Sequence, residues 1–162
     1  MDNIKFKAVW IFECYDKNGD LKWVDGFQNL VVTEGLNHIL DVEFNGTTQD
    51  TTWFLGLKNA GTVAAGDTLA SHAGWTENTN YTGDRQPLVT IAAVAGAITN
   101  SASKASFSIT VDTQTIAGGF LTTVNTGTLG VLFSAKDFTG GNKSADNGDT
   151  LEVTLTITGS SS

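Results

Sequence analysis

Apolar residues that alternate with polar ones are the feature that most narrows what this chain can fold into. Ile4, Phe6, Ala8, Trp10, Phe12 and Cys14 alternate with Lys5, Lys7, Val9, Ile11 and Glu13. Successive side chains of a strand point to opposite faces, so this run is a strand with one wholly apolar face. Its other face begins charged and turns apolar at Val9 and Ile11. Near the end of the chain Leu151, Val153, Leu155 and Ile157 alternate with Glu152, Thr154 and Thr156. Between these, Ala105 to Asp112 sets Phe107, Ile109 and Val111 against Ser106, Ser108 and Thr110. Leu88 to Ile91, Thr115 to Thr123 and Leu129 to Ala135 read as further strands. The second of these holds Gly118-Gly119, which predicts a bulge or a close backbone approach.

The punctuation between these runs is that of a β protein. Asp16-Lys17-Asn18-Gly19-Asp20 is a hairpin turn, because Asn-Gly readily takes the left-handed conformations that two-residue turns need. Leu21 to Val32 returns as the second strand, with a break expected near Asp25-Gly26. Gly140-Gly141-Asn142 and Asn147-Gly148-Asp149 are turns. One helix is predicted over residues 33–41. Thr33 is placed to cap it, Glu34 to complement its N-terminal dipole, and Leu36, Ile39 and Leu40 have helical spacing. A second helical turn is expected to begin at Asp67.

Charged residues make up only 16% of the chain, and Thr, Ser, Asn and 18 Gly supply the polarity. That mixture suits strands and tight turns rather than long helices. At 162 residues, about 70% of the unfolded chain's surface can be buried, so a core needs no staples. The expectation is an all-β chain with a single domain over 1–162: a β-sandwich, preferably a jelly roll, with residues 159–162 as a mobile tail.

Charge and cysteine content exclude several roles. A net charge of −8 repels phosphate backbones and anionic lipid, so neither nucleic acid nor a membrane is an expected partner. No run reaches the ~18 apolar residues of a membrane-spanning helix. Cys14 stands alone, so an internal disulfide is not available, and its place on the apolar face predicts a buried thiol. The first residues, Met1-Asp2-Asn3-Ile4-Lys5, lack a basic region followed by an apolar core, which predicts folding in a reducing cytoplasm. Three Asn-x-Ser/Thr triplets, at Asn45, Asn80 and Asn142, are what an Asn- and Thr-rich chain produces by chance.

A search for chemistry finds little. Asp16, Asn18 and Asp20 suggest a calcium loop, but the glycine and bidentate glutamate positions are filled by Leu21 and Phe27. His38 and His72 have no nucleophile elbow, reactive-cysteine motif or clustered ligands beside them. Gly118-Gly119 lacks the lysine and helix of a phosphate loop. Glycosidases need only two carboxylates, yet Asp16, Asp20, Asp146 and Asp149 sit at turns, where backbone bonding accounts for them. The chain therefore reads as a non-enzyme with no cofactor and no metal. The long polar stretch after Trp53 carries aromatics, and loops of that length are usually functional or disordered. Trp75, Tyr81 and Arg85 are residue types enriched at interface centres. Trp75 reads first as a lid folded on the sandwich edge, and Tyr81 and Arg85 first as interface residues. With Val9 and Ile11 on the first strand's second face, they form the candidate protein-interface set.

Several segments resemble a group of small structural proteins of tailed bacteriophages. These are Thr-Glu-Gly-Leu-Asn-His-Ile-Leu-Asp (Thr33 to Asp41), Thr-Trp-Phe-Leu-Gly-Leu (Thr52 to Leu57) and Ala-Gly-Asp-Thr-Leu-Ala-Ser-His-Ala-Gly-Trp-Thr-Glu (Ala65 to Glu77). Ser103 to Phe107 and Ala145 to Thr154 complete the pattern, and Asp67 to Glu77 is its most specific part. The resemblance implies a capsid decoration, or cement, protein with a jelly-roll-like body on the capsid exterior of a virion. Its implied partners are the major capsid protein and further copies of itself, a trimer rather than a dimer. It carries over no catalytic or ligand residue. The alternative is a tail-fibre or head-fibre module that recognises a host glycan, which would present exposed aromatics in a polar cleft.

Overall fold

The computed structural model describes residues 4–161. Strand β1 (Ile4–Tyr15) turns through the Asn18-Gly19 hairpin into β2 (Leu21–Gln28), with Gly19 at φ 87°. Asp16 closes that turn by accepting from the amides of Asn18 (2.8 Å) and Asp20 (2.9 Å). Next come β3 (Leu30–Val31), α1 (Thr33–Phe44), β4 (Phe54–Lys58), β5 (Glu77–Asn78) and β6 (Gln86–Pro87). The second half supplies β7 (Ala97–Thr99), β8 (Ala105–Ser108), β9 (Gln114–Ile116), β10 (Gly118–Thr122), β11 (Leu132–Asp137), β12 (Lys143–Ala145) and β13 (Thr150–Ser161).

These strands form two principal antiparallel sheets. One runs β2-β1-β13-β7, with β8 also paired to β13; the other runs β3-β11-β10-β4-β5, with β6 also paired to β4. A small third sheet joins β12 to β9. The expected all-β sandwich is what the chain forms. Its core is the inner face of β1, Ala8, Trp10, Phe12 and Cys14, set with Leu151, Val153 and Leu155 of β13 against Leu55, Leu57, Leu121 and Phe133 of the other sheet. Each large side chain so buried contributes about 1.5–3 kcal/mol. Trp10, Phe12, Phe27 and Phe138 pack ring on ring at 4.8–6.1 Å between centroids, inside the favourable range for aromatic pairs.

Local features depart from the sequence expectations for identifiable reasons. β2 runs unbroken through Asp25-Gly26, and the interruption falls at Asn29. There Asn29 exchanges bonds with Ala8 through its own amide (3.0 Å) and its Oδ1 (3.2 Å), and the chain leaves one sheet for the other. The helix is longer than predicted, and Thr33 is its first residue rather than its cap; Val32 holds the cap position without a side-chain bond. Asp67 starts no helical turn. Gly118-Gly119 is a close approach as expected: a Cβ on Gly118 would run into the Lys136 carbonyl, and one on Gly119 would lie 2.8 Å from the Phe12 ring. Residues 159–161 are not a tail; Phe6, Lys5 and Ile4 pair with Gly159, Ser160 and Ser161. Ser162 lies outside the described residues. Leu88 to Ile91, predicted as a strand, joins no ladder.

Candidate functional site

The two sheets part at one end and leave an apolar cleft of about 260 Å³. Phe6, Ile98 and Ile157 line it from the first sheet, Leu121 and Phe133 from the second, and Ile39 from α1. Trp53 and Leu88 close its sides, and Thr51 and Thr90 add hydroxyls. Chain neighbours of its lining residues are apolar and uncovered: Val89 and Ile91, next to Leu88 and Thr90, are 51% and 60% exposed, and Val94 and Ile4 are 71% and 78% exposed. Exposed apolar surface beside an open cleft is the kind of feature that marks a contact site. Beside the cleft, His38 Nε2 lies 3.2 Å from Asp50 Oδ2 and its ring meets Trp53 edge-on at 5.6 Å. His38 thus faces the Asp50 carboxylate on one side and props Trp53 on the other.

The long loop after β4 has a different job. Asp67 Oδ2 accepts from the Ala64 amide and from Trp75 Nε1, each at 2.9 Å. Trp75 stacks on His72 with centroids 4.2 Å apart and tilts against Phe120 at 5.3 Å. Glu34 Oε2 accepts from the amides of Leu69 (3.0 Å) and Leu132 (2.6 Å), tying the loop to α1 and β11 at once. Lys58, fully buried, reaches Asp137 and the Gly61 carbonyl, with its Nζ 5.7 Å from the Trp75 ring centre. A buried charge persists only when paired and hydrogen-bonded, and Lys58 is both. The segment from Asp67 to Glu77 is therefore a clamp that packs on the second sheet.

The candidate interface residues divide. Trp75, Tyr81 and Arg85 are all buried inside the chain, which corrects the expectation that Tyr81 and Arg85 face a partner. Tyr81 meets Phe107 edge-on at 4.9 Å, and burial, more than the charge of Glu77, raises its phenol above the ordinary value. Arg85 is spent on a bidentate pair with Glu77, Nε to Oε1 at 2.8 Å and Nη2 to Oε2 at 2.7 Å. It also donates to the Val124 carbonyl (3.1 Å) and lies over Phe120. Trp75 takes the lid role. Val9 is half-buried and Ile11 exposed on the outer face of β1, in a strip with Val24 of β2. Trp53, Leu88 and Phe133, which shape the cleft, were not singled out by sequence; the apolar run Trp53-Phe54-Leu55 and the strand read at Leu88 to Ile91 were the available signals.

Reactive groups are few. Burial first, and the Asp149 carboxylate second, push the Cys14 thiol up to about 12, so it stays a neutral thiol near neutral pH. Lys22 bridges Asp149 (2.5 Å) and Asp146 (2.9 Å), and those bonds raise its ammonium above the ordinary range. Among the described residues no three His, Cys, Asp or Glu side chains gather as metal ligands. What the open end can do is bury apolar surface against another molecule. No protein-family model matches this chain, and no curated protein matches it.

Proposed function

We propose that the chain is a virion structural protein of the capsid decoration class, which binds the major capsid lattice and stabilises the head. The observation that carries the reading is the uncovered apolar end of the sandwich, with its cleft and the exposed Ile4, Val89, Ile91 and Val94. The segments from Thr33 to Asp41 and from Asp67 to Glu77 support it by their resemblance to phage structural proteins. In this reading the body is jelly-roll-like, with the first and last strands, β1 and β13, paired over their whole length within one sheet. The contacts fit binding rather than turnover. A protein that binds the assembled shell and not its dispersed subunits stabilises the shell by mass action. Several subunits engaged together sum modest contacts through effective concentration.

A glycan-recognition module would hold exposed aromatics in a polar cleft. Here Trp75 and Tyr81 are buried and the cleft is apolar, so the surface favours the decoration reading. Particles assembled without the chain test it. They should form normally and then fail at lower temperature than complete particles, and added protein should restore the difference. Normal heat resistance combined with lost host attachment would replace this reading with the recognition module.

A further inference from the structure

The chain holds three Asn-Gly pairs, Asn18-Gly19, Asn45-Gly46 and Asn147-Gly148, all of them exposed. Such a pair is open to a spontaneous reaction in which the glycine nitrogen attacks the asparagine side-chain carbonyl carbon, since no Cβ on the second residue blocks the approach. What separates the three is the state of the glycine amide. Gly19 N–H donates to the Asp16 carbonyl (2.9 Å), in a turn that the Asp16 carboxylate also closes through the amides of Asn18 and Asp20. Gly148 N–H donates to the Ile109 carbonyl (3.0 Å), and the amides of Asp146, Asn147 and Asp149 around it are bonded as well. Gly46 N–H makes no hydrogen bond among the described residues. Asn45 is the C-cap of α1, Gly46 follows at φ 72°, and residues 46–53 join no helix or strand.

We propose that Asn45 is the chain's site of spontaneous deamidation, through a succinimide closed with Gly46. The Gly46 nitrogen bonds to Asn45 Cγ, the Cγ–Nδ2 bond breaks, and Nδ2 leaves as ammonia with the proton from the Gly46 amide. Water then opens the ring. Attack at Cγ leaves aspartate; attack at the backbone carbonyl leaves isoaspartate, in which the chain runs on through the side-chain carbon. One water is consumed, one ammonia is released, and nothing is oxidised or reduced. The Asn45 ψ of 13° must turn before the nitrogen reaches Cγ. An exposed irregular stretch permits that turn, where a turn held shut by hydrogen bonds resists it. What holds Asn45 is the helix end: its N–H and that of Thr47 donate to the Asp41 carbonyl (3.0 and 3.1 Å), and its Nδ2 donates to Asp41 Oδ1 (3.3 Å). The product carboxylate faces Asp41 where the amide had donated. It sits at the negative end of the helix dipole, with no basic residue in the last turn to offset it. Deamidation therefore loosens the last turn of α1. The inference stands whether or not the chain decorates a shell.

Incubation of the intact chain at mildly alkaline pH, followed over time by peptide mapping with mass spectrometry, tests the assignment. Each asparagine is compared with its own rate in the urea-unfolded chain, which removes the effect of the preceding residue. Asn45 should react in the folded chain at close to its unfolded rate. Asn18 and Asn147 should each be slowed at least about fivefold, the factor that one net hydrogen bond holding a turn shut is worth. Asn45→Asp installs the product charge directly. It should speed hydrogen exchange at the amides of residues 45 and 47 by about two- to fivefold, the range of one unfavourable charge at a helix end. An Asn45 that folding slows as much as Asn18 and Asn147, or that does not deamidate in the folded chain, would overturn the site. Unchanged exchange in Asn45→Asp would overturn the loosening of α1.

Discussion

Cys14 sits on the inner face of β1, fully buried, with its Sγ 3.9 Å from Asp149 Oδ2. Its thiol is displaced from an ordinary value of 9.0 to about 12, by burial first and by Asp149 second. A group whose folded value is raised adds stability that is complete below its unfolded value and is lost as pH rises through the folded one. Stability should therefore fall between pH 9 and about 12, and Cys14→Ala should remove part of that slope in urea titrations. Below pH 9 the native thiol should resist labelling reagents. Arg85 makes the second test at this scale. Its pair with Glu77 is largely buried, and removing one partner of such a pair strands the other's charge. Arg85→Ala should cost about 3–5 kcal/mol of folding stability, whereas Arg85→Met with Glu77→Leu should recover most of it. Sequence identified Cys14 correctly because strand alternation reports burial directly. It misplaced Arg85 because an arginine looks the same whether its partner lies in another molecule or eight residues away.

The element that organises the loop is α1. Gly35 faces β11 so closely that a Cβ would lie 2.7 Å from Phe133 Cα, and Glu34 beside it receives two amides from separate parts of the chain. Gly35→Ala should push the helix from the sheet, a form of overpacking that costs about 1–3 kcal/mol. Glu34→Ala leaves the Leu69 and Leu132 amides without their acceptor, at about 1–3 kcal/mol for each group that water does not reach. Limited proteolysis of that variant should cut first between Gly61 and Gly74, a region the intact clamp protects. Helix and hairpin were legible because their signals are local: Asn18-Gly19 for the turn, and the spacing of Leu36, Ile39 and Leu40 for the helix. The double role of Glu34 was not, since its partners lie 35 and 98 residues away. The strand read at Leu88 to Ile91 has the right residues and lacks a neighbour, which no local pattern records. The last three described residues read as a tail by composition, yet they pair with Ile4 to Phe6 because β1 is long enough to receive them.

At the scale of the whole molecule, two sheets close over an aromatic core at one end and open at the other. The closed end holds the hairpin turn and the Lys22, Asp146 and Asp149 network; the open end holds the cleft and the free segment from Val89 to Ala93. Alternation in β1, β8 and β13 made the sandwich legible. The open end was hidden because exposure of Ile4, Val89, Ile91 and Val94 depends on which strands fail to cover them. The decoration reading rests on that end meeting the shell or a neighbouring copy. The most direct measurement is a reconstruction of the intact particle to side-chain detail. The account predicts hundreds of copies on the capsid exterior, with the cleft and residues 88–94 buried in protein contacts. A few copies at the tail, or a shell-bound chain whose open end faces solvent, would contradict it.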